Sequence, residues 1–228
     1  MDDTTSAVTV IDRREGPYGE VVLRRRLVEG TERYEIIENG CFLMDTSDGR
    51  SERLLVQAPL RALGGAGLSV LIGGLGVGFS LAEAAAEPRW GAITVVERER
   101  SVIDWHRGGP LDRFSAHALD DPRVTVIGGD LVSHLREADI TYDALCLDID
   151  NGPDWTVTDS NDSLYSPAGL ADCRARLAPG GVLAVWSAQP SERFEEALRT
   201  AGFEQVQTIA VPVARGVPDV VHLGVRPA

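Results

Sequence analysis

Three carboxylates and one glycine cluster carry most of the chemistry legible in this chain. The run Ser69-Val-Leu-Ile-Gly-Gly-Leu-Gly-Val-Gly-Phe-Ser80 passes from apolar residues into glycines, and the helix-like Leu81-Ala-Glu-Ala-Ala-Ala86 follows. That order reads as a buried parallel strand, a tight turn and a helix N-terminus. Unpaired N–H groups and partial positive charge at a helix start suit a nucleotide-like ligand, and Gly74, Gly76 and Gly78 let it approach the backbone. A dinucleotide site needs a further glycine or alanine where this chain has Phe79, so the spacing favours an S-adenosyl ligand over NAD. Glu97 follows the loop by about 20 residues, the place of an acid that holds a ribose diol. Asp130, preceded by Gly129, ends the next strand-like run and is a candidate for the adenine amino group. Asp148 ends the one after, beside the place where a transferred group would lie. Arg98, next to Glu97, joins the cofactor-binding set.

These residues need a scaffold that brings strand ends together. From residue 68 onward, strand-like runs at 70–72, 92–96, 124–127, 144–147, 182–186, 205–211 and 220–225 alternate with helix-like runs at 80–86, 101–107, 131–136, 166–177 and 191–201. Such alternation predicts an α/β, doubly wound, mostly parallel seven-stranded sheet with ligands at the carboxyl ends of its strands. The last two runs are close together and are expected to pair as an antiparallel hairpin at the sheet edge. Before residue 65 the pattern is different: short β-rich runs at 8–11, 20–24, 33–37 and 41–44 are broken by Gly30 and by the hairpin signal Asn39-Gly40. The expected organisation is a small N-terminal antiparallel β domain over residues 1–64, closing with a linking helix at 51–60, and a catalytic domain over 65–228.

Composition limits the partners. The chain has 228 residues and a formal charge of −13, which speaks against nucleic acid and fits a cationic small molecule. No apolar run approaches the roughly 20 residues of a membrane helix, and the acidic, polar start Met1-Asp-Asp-Thr-Thr-Ser6 is not a signal peptide. Cys41, Cys146 and Cys173 form no CxxC and read as reduced, mostly buried thiols, so a cytoplasmic protein is expected. The four histidines make no ligand pattern with them, and no metal is expected. Trp105 reads as a core residue, His106 as a surface residue, and Arg24-Arg25-Arg26 as a solvated face or partner contact.

Over roughly residues 34–183 the sequence resembles the spermidine synthase family, whose members use a methyltransferase-type (class I, Rossmann-like) sheet. The residues that carry the resemblance are Val70-Leu-Ile-Gly-Gly-Leu-Gly-Val-Gly78, Val95-Val-Glu97, Asp121-Pro-Arg-Val-Thr-Val-Ile-Gly-Gly-Asp130, Tyr142-Asp-Ala-Leu-Cys-Leu-Asp148, Leu164-Tyr-Ser166 and Leu177-Ala-Pro-Gly-Gly-Val182. The resemblance implies a homodimer that transfers an aminopropyl group from decarboxylated S-adenosylmethionine to an amine. Glu97 would hold the ribose, Asp130 the adenine, and Asp148 would stand beside the nucleophile. Three departures accompany it. Val77 occupies the place of a loop Asp; Arg53-Leu-Leu-Val-Gln-Ala-Pro59 lacks the family's polyamine-binding Tyr and His; and Asn151-Gly152 replaces Asp-Pro, with Asp150 displaced by one.

A sulfonium donor is already activated, so the protein must chiefly align the nucleophile and keep it unprotonated. Asp148 and Tyr165 are the catalytic candidates. The acid-rich loop with Asp150, Asp154, Asp159 and Asp162 provides a cation-friendly wall in which Asp150, Asn151 and Trp155 would meet the substrate, the Trp through its ring face. Because Val77 removes the loop acid, the main expectation is methyl transfer from intact S-adenosylmethionine to a small amine-bearing acceptor. The alternatives are aminopropyl transfer from the decarboxylated donor, internal displacement releasing methylthioadenosine, and a non-catalytic cofactor-binding scaffold.

Overall fold

The computed structural model describes residues 8–149, 151–154, 163–213 and 216–228. Four strands, β1 (Val8–Gly16), β2 (Gly19–Val28), β3 (Thr31–Glu38) and β4 (Cys41–Asp45), form an antiparallel meander in sequence order. Asn39 and Gly40 both take positive φ, 50° and 79°, as a two-residue primed turn requires, and Glu38 pairs with Cys41 across it. Glu29 and Gly30 repeat the device between Val28 and Thr31. One face of this sheet, through Val21, Leu23, Tyr34 and Ile36, joins the main core. The runs seen in the sequence lie within these strands; β1 and β2 extend further toward their C-terminal ends, where charged residues pair across the sheet surface and alternation is weak. Arg24 and Arg26 both meet Glu35, and Arg25 meets Glu32 at 2.8 Å, so the basic run is a paired surface.

The chain enters the main domain through α1 (Arg50–Gln57) and a 3-10 turn at Ala58–Arg61. The order thereafter is β5 (Leu68–Gly73), α2 (Phe79–Ala86), β6 (Trp90–Glu97), α3 (Arg100–His106), β7 (Val124–Gly128), α4 (Leu131–Glu137), β8 (Tyr142–Leu147), α5 (Pro167–Ala175), β9 (Leu177–Ser187), α6 (Glu192–Thr200), β10 (Glu204–Val211) and β11 (Asp219–Val225). The seven strands lie in the order β10-β11-β9-β8-β5-β6-β7; β5 to β9 are parallel, and β11 runs antiparallel between β9 and β10. This is the expected methyltransferase-type sheet, with the expected hairpin at its edge. One detail differs: β9 begins at Leu177, ahead of the run expected at 182–186, and takes in Gly180, at φ 77°, and Gly181.

Side chains of the central strands alternate between two apolar layers. Val70, Ile72, Ala144 and Cys146 face the layer beneath α1, α2, α3 and the N-terminal sheet, whereas Leu71, Leu145 and Leu147 face α4, α5 and α6. Strand order reverses at β5, which has β6 on one side and β8 on the other. A crevice opens at such a reversal, outside the carboxyl ends of the strands. Among the described residues no helix is long and apolar enough to cross a membrane.

Helix α3 fastens the two sheets together. The Trp105 ring, 2% exposed as a core residue should be, donates Nε1–H to Asp12 Oδ2 at 2.8 Å, and Arg14 pairs with Asp104 at 2.8 Å. A hydrogen bond to a charged acceptor contributes about 1.5–3 kcal/mol, less where water reaches it. Trp105→Phe keeps the packing and removes the donor; a loss of about 1–2 kcal/mol is expected, read as a melting temperature lower by a few degrees.

Candidate functional site

The loop after β5 is built on three left-handed glycines, with φ of 90° at Gly74, 49° at Gly76 and 95° at Gly78. A Cβ on Gly74 would lie 2.3 Å from the main-chain oxygen of Asp148, so the ends of β5 and β8 press together with no room for a side chain. A Cβ on Gly76 would meet Met44 Sδ at 2.3 Å, which places β4 of the N-terminal sheet directly over the loop. Gly78 has a different task. It precedes α2 and faces inward on His106 and Ser115, so its role is to admit those residues and not to line the site.

Glu97 is 8% exposed; its Oε2 accepts from Leu75 N–H and its Oε1 from Glu99 N–H, both at 2.8 Å. Burial raises its pKa while these N–H groups oppose the rise. A carboxylate offers about four acceptor positions, so a ribose diol can still be received. Asp130 caps α4 by accepting from Ser133 N–H at 2.8 Å through Oδ1. Sequence reading placed both at strand ends for one purpose. The structure shows each also fixing its own loop.

A cavity of about 720 Å³ separates the glycine loop and strand ends from β3 and β4. It brings together Gly74, Gly76, Glu97, Arg98, Gly129, Asp130, Asp148 and Asn151 of the expected set. Apolar contact comes from Phe42, Leu43, Met44, Val96 and Trp186. The charge is one-sided: Glu38, Asp45, Asp48, Glu52, Glu97, Glu99, Asp130 and Asp148 face Arg98 as the one basic lining residue among those described. Arg98 is itself held by Glu38 at 2.5 Å and lies over the Tyr18 ring at 4.9 Å.

The floor is the most acidic part. Asp148 stands half-buried just past the end of β8, and burial together with the charges of Glu52 and Asp219 pushes its pKa up to about 8. Glu52 and Asp219 are raised too, chiefly by burial. Ser51 Oγ sits 2.9 Å from Glu52 Oε2 and 3.0 Å from Asp219 Oδ2. One hydroxyl proton cannot serve two carboxylates at once, so this contact is satisfied when one carboxyl carries a proton. Burial and mutual repulsion thus favour the protonated form of these acids, and a positive charge beside them would oppose that.

Sequence reasoning missed Glu52 and Asp219. For Glu52 a signal existed: residues 52, 55, 56 and 59 recur at helical spacing and are all buried, so the acid lies on the inward stripe of α1. Asp219 opens β11, whose antiparallel direction carries its first residue to the ligand end. Tyr165 is not among the lining residues; its ring packs edge-on against Phe194, centroids 5.6 Å apart, in the apolar layer between α5 and α6. Asp150 and Trp155, with Asp159 and Asp162, lie outside the described residues. His106 is fully buried, contrary to its reading as a surface residue, because residues 108–118 fold over the end of α3. Cys146 and Cys173 are buried as expected, but Cys41 is exposed at the cavity edge.

No family model matches the sequence. Among curated proteins, the chain is 30% identical over 167 residues to a polyamine aminopropyltransferase of Klebsiella pneumoniae, covering 72% of this chain and 51% of that protein. It is 30% identical over 203 residues to the polyamine aminopropyltransferase of Mycobacterium tuberculosis, covering 85% of this chain and 37% of that one. The chain therefore spans about half the length, or less, of these relatives. Two solved structures share the fold. A spermidine synthase in complex with the transition state analogue AdoDATO superposes with a TM-score of 0.76 at 17% identity, over 95% of this chain and 72% of the other. The spermidine synthase from Thermotoga maritima gives 0.75 at 16% identity, over the same shares. The glycine loop, the strand-end acids and these comparisons agree: the chain has the fold of the spermidine synthases, and the curated proteins it is similar to are polyamine aminopropyltransferases.

Proposed function

We propose that the cavity binds decarboxylated S-adenosylmethionine and a small amine, and that the aminopropyl group passes from the first to the second. The observation that carries this reading is the acidic lining with its single, already paired arginine. Intact S-adenosylmethionine would bring an α-carboxylate among these acids. Its decarboxylated form is cationic at both the sulfonium and the amine, and like the acceptor it matches the field. The relatives named as polyamine aminopropyltransferases support the same chemistry and give methyl transfer, the main expectation from Val77, no support. Val77 is fully buried in the core, so the loop presents backbone to the ligand at that point.

The residues divide the work. Glu97 and Asp130 hold the adenosine end, and the glycines let it lie against the backbone. The cationic ligands displace the proton that Asp148 holds in the empty site, and the carboxylate then takes the proton of the incoming ammonium, so that a neutral amine attacks the carbon attached to sulfur. A C–N bond forms and the C–S bond breaks. The electron pair goes to sulfur, and neutral methylthioadenosine leaves. Glu52 and Asp219 keep the Asp148 proton affinity high while the floor is empty of cations.

Product analysis by mass spectrometry tests the reaction. Incubation with the decarboxylated donor and a diamine is expected to release methylthioadenosine and an aminopropylated amine; S-adenosylhomocysteine from the intact donor would establish methyl transfer instead. Asp148→Asn is expected to lower kcat by about 10²–10⁴-fold while methylthioadenosine still binds within about threefold of wild type, measured by calorimetry.

The raised acid also sets a pH dependence. In the folded protein Asp148 keeps its proton up to about pH 8, whereas the unfolded chain loses it near 4. The folded state therefore binds more protons over that window, and stability falls as the pH rises through it. Burial lowers the pKa of His106 and His222, which acts in the opposite sense below about pH 6.5. The ligand-free protein is expected to melt at a lower temperature at pH 8.5 than at pH 6.5, and Asp148→Asn to flatten that slope. An equal slope in the variant would remove Asp148 as its source.

A further inference from the structure

His106 is the last residue of α3 and has no surface exposure. Its Nε2 lies 2.9 Å from the carbonyl oxygen of Gly76 in the middle of the glycine loop. A carbonyl only accepts, so Nε2 carries the proton; on the other side Nδ1 lies 3.1 Å from Ser115 Oγ, whose single proton is shared between it and the Asp112 carbonyl at 3.0 Å. Burial favours the neutral form of the ring. The imidazole reaches the loop through the space left by Gly78, where a Cβ would lie 2.7 Å from His106 Cε1. The two residues before it, Asp104 and Trp105, are tied to Arg14 and Asp12 of β1, so the helix end that carries the ring is itself fixed.

We infer that His106 is a positioning residue for the adenosyl ligand: its Nε2–H holds the Gly76 carbonyl and thereby sets the backbone against which that ligand lies. This rests on the adenosyl-binding reading above. The loop is held from two sides. Glu97 takes the Leu75 N–H, and His106 gives a hydrogen bond to the Gly76 carbonyl. The C=O and N–H of a trans peptide point in opposite directions, so fixing the Gly76 carbonyl turns the Val77 N–H away from the imidazole. Without that hold, three successive glycine-rich peptides would sample other conformations, and binding would bear the cost of ordering them. The ring touches neither donor nor acceptor, so it acts on affinity for the adenosyl group and not on bond making.

The pair His106→Gln and His106→Asn tests this atom by atom. A Gln amide can reach the position of Nε2, while an Asn amide reaches only that of Nδ1. For the Asn variant, the Kd of methylthioadenosine by calorimetry and the KM of the decarboxylated donor are each expected to rise about tenfold. Its kcat and the KM of the amine are expected to stay within about twofold, and the Gln variant within about threefold of wild type throughout. Ser115→Ala, which leaves the Nε2 contact in place, is expected to bind methylthioadenosine within about threefold of wild type. Wild-type affinity in the Asn variant, equal losses in Gln and Asn, or a tenfold loss in Ser115→Ala would overturn the role of the Nε2 contact. If the wild-type protein itself fails to bind methylthioadenosine, the proposed function falls, and this inference with it.

Discussion

The site depends on one close approach, that of the Gly74 backbone to the main-chain oxygen of Asp148. Neighbouring parallel strands, β5 and β8, end at the same level where the sheet order reverses, and their following loops must pass each other. Only a residue without a Cβ, in a left-handed conformation, permits it. The contact places the ligand-facing backbone of one loop beside the carboxylate that begins the next. It also leaves the crevice above them for β3 and β4 to cover.

Much of this was legible in the sequence because strand ends and glycines are local signals. Glu97, Asp130 and Asp148 each terminate an apolar run, and a parallel sheet brings such termini to one edge whatever the helices between them do. Glu52, Asp219 and His106 were harder to find because their roles depend on enclosure by distant segments. The two carboxylates that Glu52 meets across the floor, Asp148 and Asp219, are 96 and 167 residues away in the chain, and His106 is buried only because the segment after it folds back. Tyr165 shows the converse: an aromatic next to site-forming residues in sequence can turn into an apolar layer, because an α5 that packs on the sheet must cover its own start.

The departure at Val77 has a structural counterpart. In this chain the middle of the glycine loop is a core contact, and the acidic character of the floor comes from α1, β8 and β11 instead. Glu52 and Asp219 share one hydroxyl, and their charges act on Asp148. That arrangement is costly to an empty cavity and favourable to a filled one, a common relation between stability and function at binding sites.

The direction of β11 has a consequence for how the molecule is assembled. Because β11 lies between β9 and β10, the earlier strand β10 has no neighbour in the sheet until the later one is present. The chain through residue 211 holds every residue of the glycine loop and of the strand ends of β5 to β9, but β10 has no strand to pair with. The arrival of β11 does two things in one step: it seats β10, and it delivers Asp219 to the floor. The carboxylates of the floor are therefore brought together only with β11 in place, whereas the strand ends around the glycine loop need none of it.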